Sequence, residues 1–509
     1  MLFNSYAFIF AFLPIVFLGF FYIGKYSHSM ATAWLAASSI FFYGYWNPLY
    51  VGLLLGSIIC NYTFGMWIAK ADVHGAAARK KHVFVFAISA NLFLMGYFKY
   101  ANFFLSGVNA LAGSHLSLGD IILPLGISFF TFTQIAFLVD TYQRKAREYN
   151  FVHYTLFVTY FPHLIAGPVL HHQEMMPQFS KPAVSRLDWN NLAVGLAIFV
   201  LGLAKKLLLA DHFGIVATPV FEAVATGAQP TLFIAWVGAL AYTLQLYFDF
   251  SAYSDMAIGL SLMFNVRLPM NFNSPYKATS IIDFWKRWHM SLSRFLRDYL
   301  YIPLGGSRNG RFQRYLNLMV TMLLGGLWHG AGWTFLIWGG LHGLYLMANH
   351  AWRSIKLRMK WRDGGRISAL GSGILTFAAV VVGWVFFRSE NLSSAMNMLS
   401  GLSGMNGIIQ SNFLEFKQIT MILTLLTGCS VVWGLPNVHQ LFLSYRPTCE
   451  DIGKVAHPSG TTSSPSNWAL RFLKWKPSKL QGALYGVLFF MLIIHMALAD
   501  NSEFLYFQF

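Results

Sequence analysis

The sequence predicts an all-α, polytopic membrane protein that forms a single integral membrane domain over residues 1–509. Three observations carry that expectation: the composition, a series of apolar segments of spanning length, and basic residues gathered into alternate loops. Of 509 residues, 56% are hydrophobic and 11% are charged, against about 25% charged in an ordinary soluble domain. Mean hydropathy is +0.51. Phe, Tyr and Trp make up 17% of the chain, which suits extensive contact with lipid and with the membrane interface.

The apolar segments come in order. A crossing takes ~20 mostly apolar residues. The expected membrane segments are Leu2–Tyr22, Thr32–Trp46, Leu49–Ile68, Val83–Leu105, Ile121–Val139, Phe151–Ile165, Leu192–Ala210, Leu232–Phe264, Leu316–Met347, Ile367–Phe387, Ile419–Leu435 and Gly482–Ala499. Two of them are too long for one straight crossing, and the shortest suit a tilted or re-entrant path. The chain is apolar from its second residue and lacks the basic start of a cleaved signal peptide, so Leu2–Tyr22 reads as a retained span.

The loops set orientation. The formal charge of +17 admits nucleic-acid binding, but basic residues gathered in cytoplasmic loops account for it without a nucleic-acid partner. That basic face also suits an anionic cytoplasmic substrate or anionic lipid headgroups. Lys70–Lys81, Arg144–Arg147, Arg353–Arg366 and Arg446–Lys479 are basic, whereas Ser106–Asp120 and Arg388–Glu415 are nearly free of Lys and Arg. Alternation puts both termini outside. Between Pro162 and Lys181, and through the central region, the loops leave the parity open. In residues 265–315, Trp285, Trp288, Leu292, Phe295, Leu296 and Tyr299 recur at helical spacing, and Lys286, Arg287, Arg294 and Asp298 fall mostly elsewhere. This pattern predicts a cytoplasmic, interfacial amphipathic helix. Residues 444–480, with HPSGTTSSPS inside, read as a flexible cytoplasmic loop.

The chemistry-bearing residues are few. Among sixteen histidines, His28, His74, His82 and His439 lie near span ends or loops and read as interfacial or solvated. His329 lies deep in LLGGLWHGAGWTFLIWGGLHG, among Gly325, Gly326, Gly330 and Gly332. An ionisable group at that depth either lines a cavity or packs against a carbonyl, and spacing leaves both open. His289, in FWKRWHMSLS, falls on the apolar face of the expected helix, where spacing favours an anchor. His342 is placed to line the same cavity as His329. Asp249 and Asp255, in YFDFSAYSDMAIG, are acids in an apolar segment, and the expectation is structural pairing. Cys60, Cys429 and Cys449 lie too far apart for a CxxC or zinc pattern. No Walker A, GxSxG, HExxH or nucleotide-binding glycine fingerprint occurs, so ATP coupling is unsupported.

Four blocks then stand in order between about Tyr154 and His350: YFPHLIAGPVLHHQEMMPQF, FDFSAYSDMAIG, NFNSPYKATSIIDFWKRWHMSLSRFLRDYLYIPLGGSR and the WHG block around His329. Together they resemble the membrane-bound O-acyltransferase family, and most of all its alginate O-acetyltransferase branch. The resemblance implies a ring of about a dozen tilted helices around a thin centre with a central tunnel. It implies an acyl donor from the cytosol and an acceptor from the opposite side. It assigns His329 the catalytic role and His289 an assisting one. Acyl transfer from a thioester to an alcohol needs a base for the alcohol proton and help for the developing oxyanion. An imidazole, with an unperturbed pKa of ~6.5, can accept that proton near neutral pH.

The same resemblance implies no bound cofactor and acetyl-CoA as donor substrate. Arg287, Arg294, Arg297 and Arg311 are candidates for its phosphates, although positive-inside bias explains these arginines equally well. The implied partners are an extracytoplasmic, esterase-like acetyltransferase of SGNH type and, through it, a surface polysaccharide such as alginate. The implied location is the bacterial inner membrane. Two alternatives stand beside this: D-alanyl transfer to teichoic acid, and a transporter or flippase with a His-lined pathway, for which no inverted repeat is evident. The last ten residues, 500–509, form an aromatic tail placed outside. It fits a purification-tag remnant poorly and an aromatic interface anchor well. It also resembles the C-terminal motif of this branch, whose tyrosine, here Tyr506, is suited to receive the acyl group. Extended chain after Asp500 gives the tail ~20 Å of reach toward His329, with Phe504, Phe507 and Phe509 to hold it.

Overall fold

The computed structural model describes residues 1–146, 150–361, 364–408, 416–449, 473–498 and 504–505. Among them the regular structure is helical, and the one β-bridge pairs Leu268 with Thr448. Among the described residues, seven helices are long and apolar enough to cross a membrane: Ala7–Gly24, Leu49–Val73, Ala77–Ala112, Trp189–Ala225, Leu232–Met263, Arg366–Arg388 and Lys479–Leu498. The other expected segments take shorter forms. His28–Gly44 has 17 residues, and Ile127–Tyr142 has 16 and is buried on nearly every face. Sixteen residues rise ~24 Å, short of a ~30 Å hydrocarbon layer, so this helix alone does not make a full crossing. Phe151–Thr159 is a nine-residue helix that runs on into turns.

The long Leu316–Met347 segment divides into two helices, Gly310–His329 and Trp333–Arg358. They pack closely because glycines face each other: a Cβ on Gly326 would collide with the Phe335 carbonyl, and one on Gly339 with that of Met322. Leu232–Met263 stays whole and lies against Trp189–Ala225. That partner helix contains a π-helical turn at Lys205–Ala210. Lys205 pairs with Asp255 and donates to the Ser251 hydroxyl at 2.9 Å. Lys206 reaches Asp249 at 2.8 Å and Asp211 at 2.9 Å. The His439 ring nitrogen lies 3.2 Å from Asp255. The buried acids thus have the partners that burial demands.

The central region differs from the continuous amphipathic helix that spacing predicts. Helices Ile281–Trp285 and Met290–Leu296 are separate, and His289 between them has φ of +42°. The preceding extended segment takes the backbone bonds that would have continued the helix: Asn273 N–H donates to Arg287 O and Met290 N–H donates to Asn271 O, both at 2.9 Å. Trp288, Leu292, Phe295 and Leu296 are buried inside the protein, not laid on an interface. Of the expected 444–480 loop, residues 450–472 lie outside the described residues. Before them, Cys449 N–H donates to Leu268 O at 3.1 Å, and after them Trp475 packs on Phe442 and Tyr445. Of the tail, Phe504 and Leu505 are described.

Candidate active site

His329 is the last residue of the Gly310–His329 helix, and the backbone turns extended at Gly330. The exposed carbonyls of that helix end are met by the Ala77–Ala112 helix. The Tyr100 hydroxyl donates to Leu327 O at 2.8 Å. The Lys99 ammonium donates to Trp328 O, to His329 O at 3.3 Å and to the Ser128 hydroxyl at 3.4 Å. A cation at a helix C-terminus satisfies both the carbonyls and the dipole. Aromatic rings wall the imidazole, with Trp328, Trp338 and Phe387 centroids at 4.8, 5.1 and 5.2 Å.

His329 faces a cavity of about 230 Å³, whose walls include Lys99, Gly126, Ser128 and Trp328 and whose rim includes Met1 and Trp46. A second cavity of about 290 Å³ lies on the other side of Lys99, against Gly330 and Phe335. His289 sits behind His329, with ring centroids 6.4 Å apart, and is fully buried. Its Nδ1 lies 3.1 Å from Asn271 Oδ1. The same oxygen accepts from the Ser291 hydroxyl at 2.8 Å and the Ser291 N–H at 3.3 Å. An oxygen that accepts from those donors also accepts from the ring, so Nδ1 carries the proton and Nε2 the lone pair in neutral His289. Ser291 in turn accepts from Val169 N–H at 2.9 Å, which ties this network to the HLIAGPV segment.

The structure brings His289 and His329 together and leaves the other candidates apart. His342 does not line the His329 cavity. It is buried beyond Trp338, 4.9 Å from that ring, and accepts at Nδ1 from Trp285 Nε1–H at 3.3 Å. The expectation that it shares the cavity is corrected: both rings contact Trp338, and His329 alone of the two lines the cavity. The arginines lie elsewhere. Arg287 pairs with Asp283 at 2.9 Å, Arg294 binds both oxygens of Glu174 at 2.6 and 2.9 Å, and Arg297 pairs with Asp298 at 2.7 Å. Arg311 is exposed at the start of the Gly310–His329 helix. None of the four lines the His329 cavity. Tyr506 lies outside the described residues.

Sequence reasoning missed Lys99. Its signal was a lone cation in an otherwise apolar run, FLMGYFKYANFFL, the kind of intramembrane charge that marks a site. Asn271 carried no comparable signal, because its contact with His289 depends on the left-handed turn. Among the described residues, no group of three or more His, Cys, Asp or Glu side chains is arranged to hold a metal. A buried histidine on a cavity floor, with a second histidine behind it in a defined tautomer, can take a proton from a hydroxyl that enters the cavity.

The pattern of the membrane-bound O-acyltransferase family matches residues 40–388. The chain is 44% identical to a peptidoglycan O-acetyltransferase of Helicobacter pylori over 80% of its length and 81% of the relative's. It is 38% identical to a probable alginate O-acetylase AlgI of Azotobacter vinelandii over the full length of both. It is 29% identical to a teichoic acid D-alanyltransferase of Streptococcus thermophilus, over 45% of this chain and 57% of that one.

Proposed function

The chain belongs to the membrane-bound O-acyltransferase family, and from that premise we propose that it passes acetyl groups from cytoplasmic acetyl-CoA across the membrane for O-acetylation of a surface polysaccharide. The observation that carries the reading is His329 on the floor of a cavity rimmed by Met1 and Trp46. Trp46 precedes the crossing helix Leu49–Val73, which ends at the basic Lys70–Lys81 segment. Basic loops face the cytoplasm, so this orientation puts the rim outside and the donor on the far side of the histidine pair.

In the proposed reaction an imidazole nitrogen of His329 takes the proton of an acceptor hydroxyl. The oxygen attacks the thioester carbonyl, the C–S bond breaks, and the imidazolium returns the proton to the leaving thiolate. An ester and the free thiol of coenzyme A result. Tyr506 is the proposed first acceptor, a transient carrier from which an extracytoplasmic, esterase-like partner draws the acetyl group. The relatives that align over four-fifths or more of both chains are named as O-acetylating proteins of peptidoglycan and alginate. This favours acetate over D-alanine and a polysaccharide such as these two.

His329→Ala tests the base role. Loss of a general base lowers the rate ~10²–10⁴-fold, so polymer acetylation in cells falls to background at unchanged membrane abundance. Substantial acetylation by the variant contradicts the assignment.

A further inference from the structure

The Leu232–Met263 helix buries Asp249 against the π-helical turn of its neighbour. There Lys206 meets two carboxylates, Asp249 at 2.8 Å and Asp211 at 2.9 Å. The Lys206 and Asp249 side chains are each 2% exposed. A buried carboxylate is costly unless its lone pairs are met. Asp249 Oδ1 serves Lys206. Asp249 Oδ2 accepts the backbone N–H of Leu505 at 3.0 Å. Phe504 is fully buried beside it. The Lys206 ammonium stands 4.7 Å over its ring, and Tyr253 meets it edge-on at 5.1 Å, so cation–π and aromatic contacts both hold it.

We propose that Lys206 and Asp249 form a docking site for the chain's own C-terminal tail, which pins Leu505 so that the next residue is presented at the histidine pair. Its purpose rests on the carrier reading of Tyr506. The location is what makes the site useful. Asp249 adjoins Phe250, whose ring lies edge-on to His289 at 4.8 Å. Leu505 is buried in the apolar cluster to which Phe250 also belongs. The residue after Leu505 lies one Cα step, ~3.8 Å, from this pinned point. Fixing an acceptor in place raises its effective concentration at the base, which an unpinned tail forgoes. Lys206 and Asp249 are positioning residues here, because they touch the tail and not the reacting atoms.

Two measurements on the full-length protein in detergent micelles and in cells test the site. The first is hydrogen exchange at the Leu505 amide, compared between wild type and the Lys206→Met/Asp249→Leu double variant, which removes both buried charges and leaves Asp211, the partly exposed member of the cluster, to solvent. A hydrogen bond to a buried carboxylate slows exchange about tenfold or more, so the amide is slow in wild type and fast in the double variant. The second compares acetyl transfer by Leu505→Pro, which deletes the N–H, with Leu505→Ala, which keeps it. The proline variant is expected at least about tenfold below the alanine variant at equal membrane abundance. An amide that exchanges at the free-chain rate in wild type, or equal transfer by the two variants, overturns the docking site. Tyr506→Phe separates the two ideas. Full activity of that variant with a slow Leu505 amide removes the carrier and leaves the site standing, whereas an inactive variant with a fast amide does the reverse.

Discussion

A helix end carries the proposed base, so what holds that end matters as much as the base. Lys99 supplies three donors to two carbonyls and one hydroxyl at the terminus of the Gly310–His329 helix. Lys99→Met leaves those acceptors without a cation, and a hydrogen bond to a charged group contributes about 1.5–3 kcal/mol. We expect acetylation to fall about tenfold or more and Lys99→Arg to restore much of it, measured as polymer acetate per unit of membrane protein. Equal loss in both variants would mean that a cation at this position does not suffice. At this scale the sequence was informative about which histidines to consider and uninformative about their surroundings. His329 and His289 stand out by depth and motif. The Asn271–Ser291 network that sets the His289 tautomer arises from a left-handed residue and from pairing across eighteen positions, neither of which leaves a periodic trace.

At the scale of elements, periodicity predicted where helices lie and failed where backbone bonds go outside the helix. The aromatic spacing around Trp285–Tyr299 is helical on paper, yet Asn271 and Asn273 intercept the backbone and divide it. The same region changes the expectation for the arginines. Arg294 reads as a phosphate ligand by its position beside the motif, but its partner Glu174 is 120 residues away, a pairing that sequence spacing cannot disclose. A half-buried, bidentate pair ties the Met290–Leu296 helix to the short helix His172–Phe179. Arg294→Glu sets two carboxylates against each other, so we expect lower thermal stability. The exchange Arg294→Glu with Glu174→Arg should recover most of it, by about 1 kcal/mol or more. Stability in detergent reads this directly. No recovery in the exchange would return Arg294 to the donor site. Arg311, another of the four candidate arginines, is exposed at its helix start.

Among the described residues the molecule combines seven helices of spanning length, of which Leu232–Met263 and Trp189–Ala225 are the most buried, with short helices buried in protein, buried ion pairs at the π-helical turn and the proposed base in a cavity. Its membrane character was plain from composition, and the number of full-length crossings was not. Several apolar segments are short central helices that bury themselves in protein, and hydropathy does not separate protein from lipid surroundings. The loop charges predict a specific topology. Cysteines engineered at position 2 or in residues 106–120 should label with an impermeant thiol reagent from outside, and those in residues 450–472 only after permeabilisation. Labelling of 450–472 in intact cells would invert the C-terminal half. The most direct test of the central claim is thiol release from acetyl-CoA by the purified protein in proteoliposomes, wild type beside His329→Gln. We expect a burst of coenzyme A thiol from wild type, up to one per chain as Tyr506 takes the acetyl group, and a burst ~10²-fold or more slower in the variant. An undiminished rate in His329→Gln, or no release of thiol from acetyl-CoA by wild type, would contradict it.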